Sequence, residues 1–360
     1  MASISLCMIV KNEEKVLARC LDSVKNAVDE IIIADTGSTD KTKEIAFKYT
    51  DRVFDFRWTD DFSAARNFSF SKAESEYVMW LDADDVLTPE NCRRLAELKK
   101  NLGSTDTVMM KYSTAFDENG NTTFSYYRER IIRKSANPIW KGRVHEAIEP
   151  IGNVIYSNIE IRHKSIKTEY STRNLAIYQK QLKDGEPFTP RDKFYYGREL
   201  YYHKKYSKAV QILNEFLNDK NGWTENKIEA CKILSFCYRE TGKTEKAVVI
   251  LFRAFFYDNP RSEICCALGN AFMLCGRYTQ AIYWFELALT IPNSEKNGGF
   301  SDADSHGYIP CIQLCVCYDK LKNYRLAEEY NRRAGKYRPD SAAYLQNLSY
   351  FKTLHQSNII

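Results

Sequence analysis

The sequence predicts two domains of different fold class: an α/β domain with a mostly parallel sheet over residues 1–168, and an all-α domain of helical repeats over residues 169–360. Residues up to about 165 alternate short apolar runs with amphipathic stretches, which is typical of a parallel α/β sheet. The later residues instead repeat one pattern of a turn followed by a helix. The length of 360 residues is enough for about two domains that each bury a core.

The elements of the predicted sheet follow one another with short connections. Apolar and β-branched runs predict strands, and apolar residues spaced three and four apart predict helices. Asp40 can cap a helix by accepting backbone N–H bonds, and Pro89 suits a first helical turn. The predicted elements are the strand Ile4–Val10, a helix within 14–26, strands Ile31–Ala34 and Val53–Phe56, the helix Phe62–Ala73, the strand Tyr77–Leu81, a helix from Pro89 to about Lys100 and the strand Ile159–Arg162.

The second half carries four copies of a turn that leads into a helix with alanine at a matching position. These alanines are Ala209, Ala247, Ala281 and Ala327, at intervals of 38, 34 and 46 residues. The interval of 34 equals the period of tetratricopeptide repeats, and the longer intervals imply longer linkers. Residues 341–355 are expected to form the terminal capping helix that such arrays need.

Composition excludes several functional classes. The formal net charge of +5 is too small and too dispersed for a nucleic-acid binder, although it suits an anionic nucleotide. No segment approaches the ~18 consecutive apolar residues that span a bilayer, and the N-terminus lacks the pattern of a signal peptide, so a cytoplasmic protein is expected. The cysteines lack zinc-finger spacing and are expected to be buried thiols, as at Cys231, Cys237, Cys275, Cys315 and Cys317.

The acidic segment Asp82-Ala83-Asp84 follows directly after an apolar strand. Ligands bind at the carboxyl ends of strands in open α/β sheets, and two carboxylates there can hold a divalent cation against a diphosphate. Mg²⁺ or Mn²⁺ suits such oxygen ligands. The alternative interpretation of this segment alone is a solvated acidic turn.

Three more motifs lie at the same predicted edge. Asp35 ends the second strand and can accept hydrogen bonds from a base or a ribose, or it can serve an ordinary turn. Asn12 and Glu13 end the first strand. Arg66, at the start of a helix, can reach a diphosphate or can be a surface arginine.

Together these motifs resemble a family 2 glycosyltransferase of the GT-A type, which has a Rossmann-like sheet. The resemblance covers residues 3–165 and is closest to the subgroup fused to tetratricopeptide repeats, which includes S-glycosyltransferases that modify cysteine in bacteriocin peptides. The segments that carry it are Val10-Lys11-Asn12-Glu13, Asp35-Thr36-Gly37-Ser38-Thr39-Asp40, Phe62-Ser63-Ala64-Ala65-Arg66-Asn67, Leu81-Asp82-Ala83-Asp84-Asp85, Trp140-Lys141-Gly142-Arg143-Val144-His145-Glu146 and His163.

The resemblance implies a nucleotide-sugar donor, usually a UDP-sugar, and a metal ion, Mn²⁺ or Mg²⁺. Asp84 would be the main metal ligand, and His163 is a candidate further ligand or a surface histidine. Inversion by a single displacement would need a general base, and His145 or Glu146 occupies the region where the family places it. Residues expected to bind the donor are Val10, Asn12, Glu13, Asp35, Ser38, Arg66, Asp82, Ala83 and Arg130. Arg130 and Arg133 are expected on one face of a strand, toward the diphosphate or acceptor, or in salt bridges on a solvated face.

The repeats predict a groove for an extended peptide, so a peptide or protein side chain is the expected acceptor, through serine or threonine oxygen or cysteine sulfur. Self-association into a homodimer is the competing use of the repeats. Three other functions stay open: a scaffold that no longer turns over, a glycosyltransferase with a glycan or lipid acceptor, and a nucleotidyltransferase. The last is disfavoured because residues 8–13 contain no glycine for a triphosphate-binding loop.

Overall fold

The computed structural model describes residues 2–166, 170–292 and 299–357. They form two compact units. The first comprises the chain up to Ala115 together with Ser125–Glu186, and the second comprises Phe116–Phe124 and the chain from Pro187 onward. The predicted domain boundary between residues 168 and 169 lies outside the described residues.

The first unit is built on a mixed sheet with the strand order β3-β2-β1-β4-β7-β6-β8-β5. The strands β1, β2, β3 and β4 pair in parallel, whereas β4 pairs β7 and β5 pairs β8 antiparallel. β6 and β8 are parallel. The strands are β1 (Ile4–Val10), β2 (Glu30–Asp35), β3 (Val53–Asp55), β4 (Tyr77–Trp80), β5 (Asp85–Leu87), β6 (Thr107–Phe116), β7 (Thr122–Arg133) and β8 (Val154–His163).

Helices cover this sheet and bury apolar side chains against it. One core cluster runs from Ile4 in β1 through Leu17 and Leu21 to Leu95, all fully buried. Side-chain caps fix helix starts: Asp61 accepts from the backbone N–H of Ala64, and Thr88 accepts from that of Asn91. The helices are α1 (Leu17–Val24), α2 (Thr42–Ala46), α3 (Phe62–Ser71), α4 (Pro89–Lys100) and α5 (Arg173–Lys183).

The prediction of an α/β domain followed by an all-α repeat domain is confirmed. The strand Ile4–Val10 and the helix Pro89–Lys100 have the predicted bounds. The predicted strand Tyr77–Leu81 ends one residue earlier, at Trp80.

The second unit consists of antiparallel helix pairs, α6 with α7, α8 with α9, α10 with α11 and α12 with α13, followed by α14. A short strand β9 (Ser301–Asp302) precedes α12. The predicted capping helix is α14. The helices are α6 (Pro190–Tyr202), α7 (Tyr206–Leu217), α8 (Thr224–Glu240), α9 (Thr244–Phe252), α10 (Ser262–Leu274), α11 (Tyr278–Thr290), α12 (Tyr308–Lys320), α13 (Tyr324–Tyr337) and α14 (Ala342–Gln356).

Each turn between paired helices is closed by a residue in the left-handed conformation. Gly242 and Gly276 take this position in two pairs, and Lys204 and Lys322 take it in the others. The next residue donates its backbone N–H to a carbonyl five residues earlier, over 2.8–3.0 Å, as in a Schellman motif. The repeated alanine follows five residues after the left-handed residue and is buried in every pair, where it lets the two helices approach.

The cysteines carry no disulfide bond and are free thiols. Most are buried as predicted, but Cys275 is exposed because it lies just past the end of α10, in the turn. Among the described residues, none of the helices combines the length and the apolar character that a bilayer span requires.

Candidate active site

The carboxyl ends of β1 and β4 open into a cavity of about 360 Å³ in the first unit. Parallel pairing places these strand ends at one edge of the sheet, so residues far apart in sequence meet there. The cavity is lined by Ile9, Val10, Lys11, Glu13, Thr36, Trp58, Phe62, Arg66, Trp80, Asp82, Ala83, Asp84, Tyr112, Tyr126, Arg128, Val144, His145, Glu146, Arg173 and Asn174.

The acidic turn after β4 is closed on itself by Asp85. The backbone N–H of Asp82 donates to Oδ2 of Asp85 over 3.1 Å, and the backbone N–H of Asp85 donates to the carbonyl of Asp82 over 3.0 Å. Asp85 is fully buried and forms a 3.1 Å ion pair with Arg130, which is also fully buried. The turn therefore has one fixed shape, which presents Asp82 and Asp84 toward the cavity.

Asp84, Asp85 and His163 form a cluster that fits a metal ion, since one ligand atom from each lies within 4.8 Å of the others. Register explains the cluster, because Asp85 and His163 are direct partners across the antiparallel pair β5 and β8. Nδ1 of His163 lies 3.4 Å from Oδ1 of both carboxylates and 3.0 Å from the hydroxyl of Tyr112. Two carboxylates with one imidazole are ligand types that hold divalent cations in proteins.

Electrostatics around His163 reflect this acidic setting. Burial by itself would lower the pKa of His163, but the hydrogen bond with Asp85 and the charges of Asp84, Asp85 and Asp82 outweigh it and raise that pKa. A proton on His163 would therefore compete with any cation that binds to this imidazole.

Arg66 in α3 forms ion pairs with two carboxylates that line the cavity. Its Nη2 donates to Oδ1 of Asp82 over 2.7 Å, and its Nε donates to Oε1 of Glu146 over 2.5 Å. The guanidinium lies 4.8 Å from the ring centres of both Trp80 and Trp140. Burial alone would raise the pKa of Asp82, but the charge of Arg66 lowers it to about 2.

His145 and Glu146 lie in a tight loop that an antiparallel bridge between Lys141 and Ala147 closes, with hydrogen bonds of 3.0 and 3.1 Å. Glu146 is buried, with 8% of its surface exposed, whereas His145 is half-buried and lines the cavity. The backbone of His145 has a φ of 52°, in the left-handed region that a side chain rarely adopts.

The loop after β2 surrounds the carboxylate of Asp35. Its Oδ1 accepts from the backbone N–H groups of Gly37 and Ser38 over 2.9 and 2.8 Å, and its Oδ2 is buried without a hydrogen-bond partner among the described residues. The Ser38 hydroxyl accepts from the backbone N–H of Asn12 over 3.0 Å. Asn12 and Ser38 therefore join the loops after β1 and β2, next to Thr36 on the cavity wall.

Most of the predicted site residues meet at this edge, but Arg130 does not reach the cavity. Its guanidinium is enclosed by Asp85 and the rings of Trp80 and Tyr112, 3.7 and 4.4 Å away. The expectation that Arg130 and Arg133 share a face is wrong, because side chains alternate along a strand and residues three apart point to opposite faces. Arg133 pairs with Glu76 and Asp106 instead.

Sequence reasoning missed several residues of the site. Asp85 was part of the acidic segment but had no role of its own, and its pairing with His163 depends on a strand register that spans 78 residues. Arg128 lies over the ring of Trp80 and lines the cavity. Side chains two residues apart on a strand point to the same face, so the prediction of Arg130 as a site residue could have indicated Arg128 as well.

Comparison with known proteins gives a match in each half of the chain. Residues 5–152 match the model of glycosyl transferase family 2, and residues 262–294 match a tetratricopeptide repeat.

Two relatives and one solved structure illustrate the range of similarity. A TPR repeat-containing protein of Synechococcus elongatus is 36% identical over 149 residues, which are 41% of this chain and 36% of that protein. The SPbeta prophage-derived glycosyltransferase SunS of Bacillus subtilis is 31% identical over 236 residues, 60% of this chain and 54% of SunS. The chain thus spans about a third to a half of these relatives' lengths. Glucosyl-3-phosphoglycerate synthase from Mycobacterium tuberculosis, in complex with Mn²⁺ and UDP-glucose, has a TM-score of 0.36 and 16% identity over 52% of this chain and 81% of its own.

The two family-model matches fall in different halves of the chain: residues 5–152 are similar to glycosyl transferase family 2, and residues 262–294, in the second unit, are similar to a tetratricopeptide repeat.

Proposed function

We propose that this chain is a metal-assisted, inverting glycosyltransferase that moves a sugar from a UDP-sugar to a side chain of a peptide or protein. The observation that carries the proposal is the meeting of Asp82, Asp84 and His163 at one sheet edge, beside the loop that holds Asp35. The match of residues 5–152 to the model of glycosyl transferase family 2 supports the same reaction.

Asp35 is the residue we assign to the base of the nucleotide. Its Oδ2 is buried and lacks a partner among the described residues, so an N–H donor from a ligand would satisfy an acceptor that is costly to leave unpaired. The imide N–H of uracil is such a donor. Asp82, with an ionised carboxylate and partial exposure, is assigned to hydroxyl groups of the ribose or the sugar.

Asp84 and His163 are the residues we assign to the cation, Mn²⁺ or Mg²⁺, with Asp85 at the buried side of the cluster. A cation held by these residues would neutralise the charge that develops on the departing diphosphate. Oδ1 of Asp85 lies 3.4 Å from Nδ1 of His163 and orients the imidazole ring. The hydroxyl of Tyr112 contacts the same ring nitrogen over 3.0 Å.

The repeat unit is where we propose that the acceptor peptide binds. A cavity of about 360 Å³ lies among α6, α8, α9 and α10 and combines aromatic with charged side chains. Phe236 contacts the ring of Tyr201 edge-on, and Arg239 lies 4.4 Å over the ring of Phe236. Aromatic surfaces flanked by a guanidinium suit an extended peptide that carries apolar and polar side chains.

Thermal unfolding with a panel of UDP-sugars, with and without Mn²⁺, tests the donor assignment. A ligand that binds only the folded state raises the melting temperature, so one UDP-sugar is expected to give a Mn²⁺-dependent increase. Asp84→Asn should abolish that metal-dependent part and the release of UDP, whereas Asp51→Asn, a change of an exposed carboxylate outside the site, should retain both. The proposal is rejected if no nucleotide sugar changes the melting temperature, or if Asp84→Asn releases UDP at the rate of the unmodified protein.

A further inference from the structure

In an inverting direct displacement the acceptor loses one proton, and the proposed function does not say which residue takes it. The acceptor atom bonds to the anomeric carbon, the bond from that carbon to the diphosphate oxygen breaks, and the diphosphate leaves with the electron pair. The proton of the acceptor hydroxyl, thiol or water must then pass to a base in the cavity. The cavity wall offers Glu13, Asp82, Asp84, His145 and Glu146 as titratable groups that could act as bases.

Glu146 is poorly suited to accept this proton. Its Oε1 accepts from Nε of Arg66 over 2.5 Å, and both side chains are less than one-tenth exposed. Protonation of Glu146 would remove one of the two charges that this buried guanidinium faces, and an uncompensated buried charge is costly. Each turnover would have to break and restore that pair.

Two other carboxylates of the wall, Asp82 and Asp84, are also committed. Asp82 accepts from Nη2 of Arg66, which holds its pKa at about 2. Asp84 belongs to the cluster that fits the cation. Glu13 lies in the loop between β1 and α1, where its carbonyl accepts from the backbone N–H groups of Val16 and Leu17, and its own N–H donates to the hydroxyl of Thr42.

Backbone carbonyls on both sides of His145 accept hydrogen bonds that fix the loop. The carbonyl of Arg143 accepts from the backbone N–H of Phe62 over 2.9 Å, and that of Val144 accepts from the hydroxyl of Tyr178 over 3.2 Å. The carbonyl of Glu146 accepts from Arg128 over 3.4 Å. These contacts maintain a left-handed φ of 52° at His145, between the buried Val144 and Glu146.

Among the described residues that line the cavity, His145 is the only one other than glycine with a positive φ. Strained backbone persists only where the surroundings impose it, and such residues concentrate at functional sites. An imidazole is also the side chain that changes protonation most readily near neutral pH.

We propose that His145 is the catalytic base that accepts the acceptor proton, and that Glu146 is a positioning residue whose pair with Arg66 anchors the loop to the donor side. The inference rests on the proposed function. The sequence alone left either His145 or Glu146 as the general base, whereas we assign a separate role to each residue.

His145→Gly is the decisive variant, because glycine adopts the left-handed conformation without strain and leaves space for a small molecule. UDP release from the UDP-sugar selected by thermal unfolding, with water as acceptor, should fall by about a hundredfold or more. Added imidazole should restore at least tenfold of that loss. His145→Asn, which also tolerates a positive φ, should be as slow as His145→Gly and should not respond to imidazole.

Glu146→Gln tests the positioning role, since glutamine can still accept from Arg66 but cannot accept a proton as a carboxylate does. It should keep UDP release within about tenfold of the unmodified protein, which is less than the hundredfold or more that the loss of a general base costs. The inference is overturned if His145→Gly keeps its activity, if imidazole fails to restore it, or if Glu146→Gln is the slower variant.

These outcomes are separate from failure of the proposed function. If the unmodified protein neither binds a UDP-sugar nor releases UDP, the glycosyltransferase proposal itself fails. If it does both, and His145→Gly still shows the Mn²⁺-dependent rise in melting temperature, only the assignment of the base is under test.

Discussion

Asp85 and His163 face each other across the antiparallel strands β5 and β8, with 3.4 Å between Oδ1 of Asp85 and Nδ1 of His163. The other oxygen of Asp85 is bound to Arg130, so a fully buried ion pair supports a partly exposed histidine. The cluster that fits a metal ion and the stability of the first unit are therefore linked.

Removal of one charge from that pair should destabilise the first unit. Asp85→Asn leaves Arg130 buried without a counter-charge, and we expect the free energy of unfolding to fall by about 3–5 kcal/mol. The double variant Asp85→Asn with Arg130→Met should recover part of this loss, because methionine fills the space without a charge. Urea unfolding of the single and double variants measures both values. Equal stability of the two variants would argue against the ion pair as the cause.

Tyr112→Phe should weaken Mn²⁺ binding without unfolding the protein. The hydroxyl of Tyr112 contacts Nδ1 of His163 over 3.0 Å, and loss of such an outer contact lowers metal affinity by about 10- to 100-fold. Titration calorimetry with Mn²⁺ alone gives the affinity. Tyr49→Phe, on the far side of α1, is the matched control and should bind Mn²⁺ as before. If Tyr112→Phe bound Mn²⁺ with unchanged affinity, the contact between Tyr112 and His163 would have no role in metal binding.

Acid should remove the stabilisation that Asp82 receives from Arg66. The pKa of Asp82 falls from 3.8 to about 2 on folding, so its contribution is complete above pH 3.8 and is lost as pH falls toward 2. The difference in unfolding free energy between the unmodified protein and Asp82→Asn should accordingly shrink between about pH 4 and pH 2. The side chain of Asp82 is 37% exposed, so solvent screening makes this effect smaller than the pKa change alone implies. Asp51→Asn, measured in parallel, should not reproduce this trend.

Tyr202→Ala should affect the acceptor and not the donor. Tyr202 is 44% exposed and lines the cavity of the repeat unit, where an aromatic contact with a peptide is worth about 1 kcal/mol. The KM for an acceptor peptide should rise about fivefold, while UDP release without peptide stays unchanged. Steady-state kinetics with both acceptors separates these effects, and a peptide KM equal to that of the unmodified protein would contradict binding at this cavity.

Lys322→Gly should stabilise the repeat unit. Lys322 has a φ of 61° at the position that glycine takes in two other pairs, and the left-handed conformation costs a side-chain-bearing residue about 1–2 kcal/mol. After allowance for the greater freedom of glycine in the unfolded chain, we expect a gain of about 0.5–1 kcal/mol. Thermal unfolding measures the gain. Lys320→Gly, at the last residue of α12, is the control and should give no such gain, because Lys320 does not have a positive φ.

Much of the fold follows from local patterns in the sequence. The β-branched run Ile4–Val10 and the proline that begins α4 specify their own elements, because strand and helix preferences are set by near neighbours. The repeated turns predicted the helix pairs for the same reason. The carboxyl ends of parallel strands meet at one edge, which is why the sequence could predict that Asp35, Asp82 and Asp84 lie near one another.

What the sequence left open depends on distant pairing. The short strand β5 pairs with β8, with Asp85 opposite His163, and no local pattern in the sequence indicates that register. The ion pair of Arg66 with Glu146 joins residues 80 positions apart, so neither this pair nor its burial was visible in the motif. Arg130 shows a different failure, since strand alternation alone would have separated it from Arg133.

The exposed thiol in the turn after α10 makes the repeat unit accessible to site-selective chemistry. All eleven cysteines lie in the described part of the chain, and Cys275 is the single exposed one, while burial raises the pKa of the others. Maleimide dyes react with accessible thiolates, so the native sequence offers one attachment point for a fluorophore. Leu274, its neighbour, lines the repeat cavity, and the emission of that probe would therefore report occupancy of the cavity without any engineered residue.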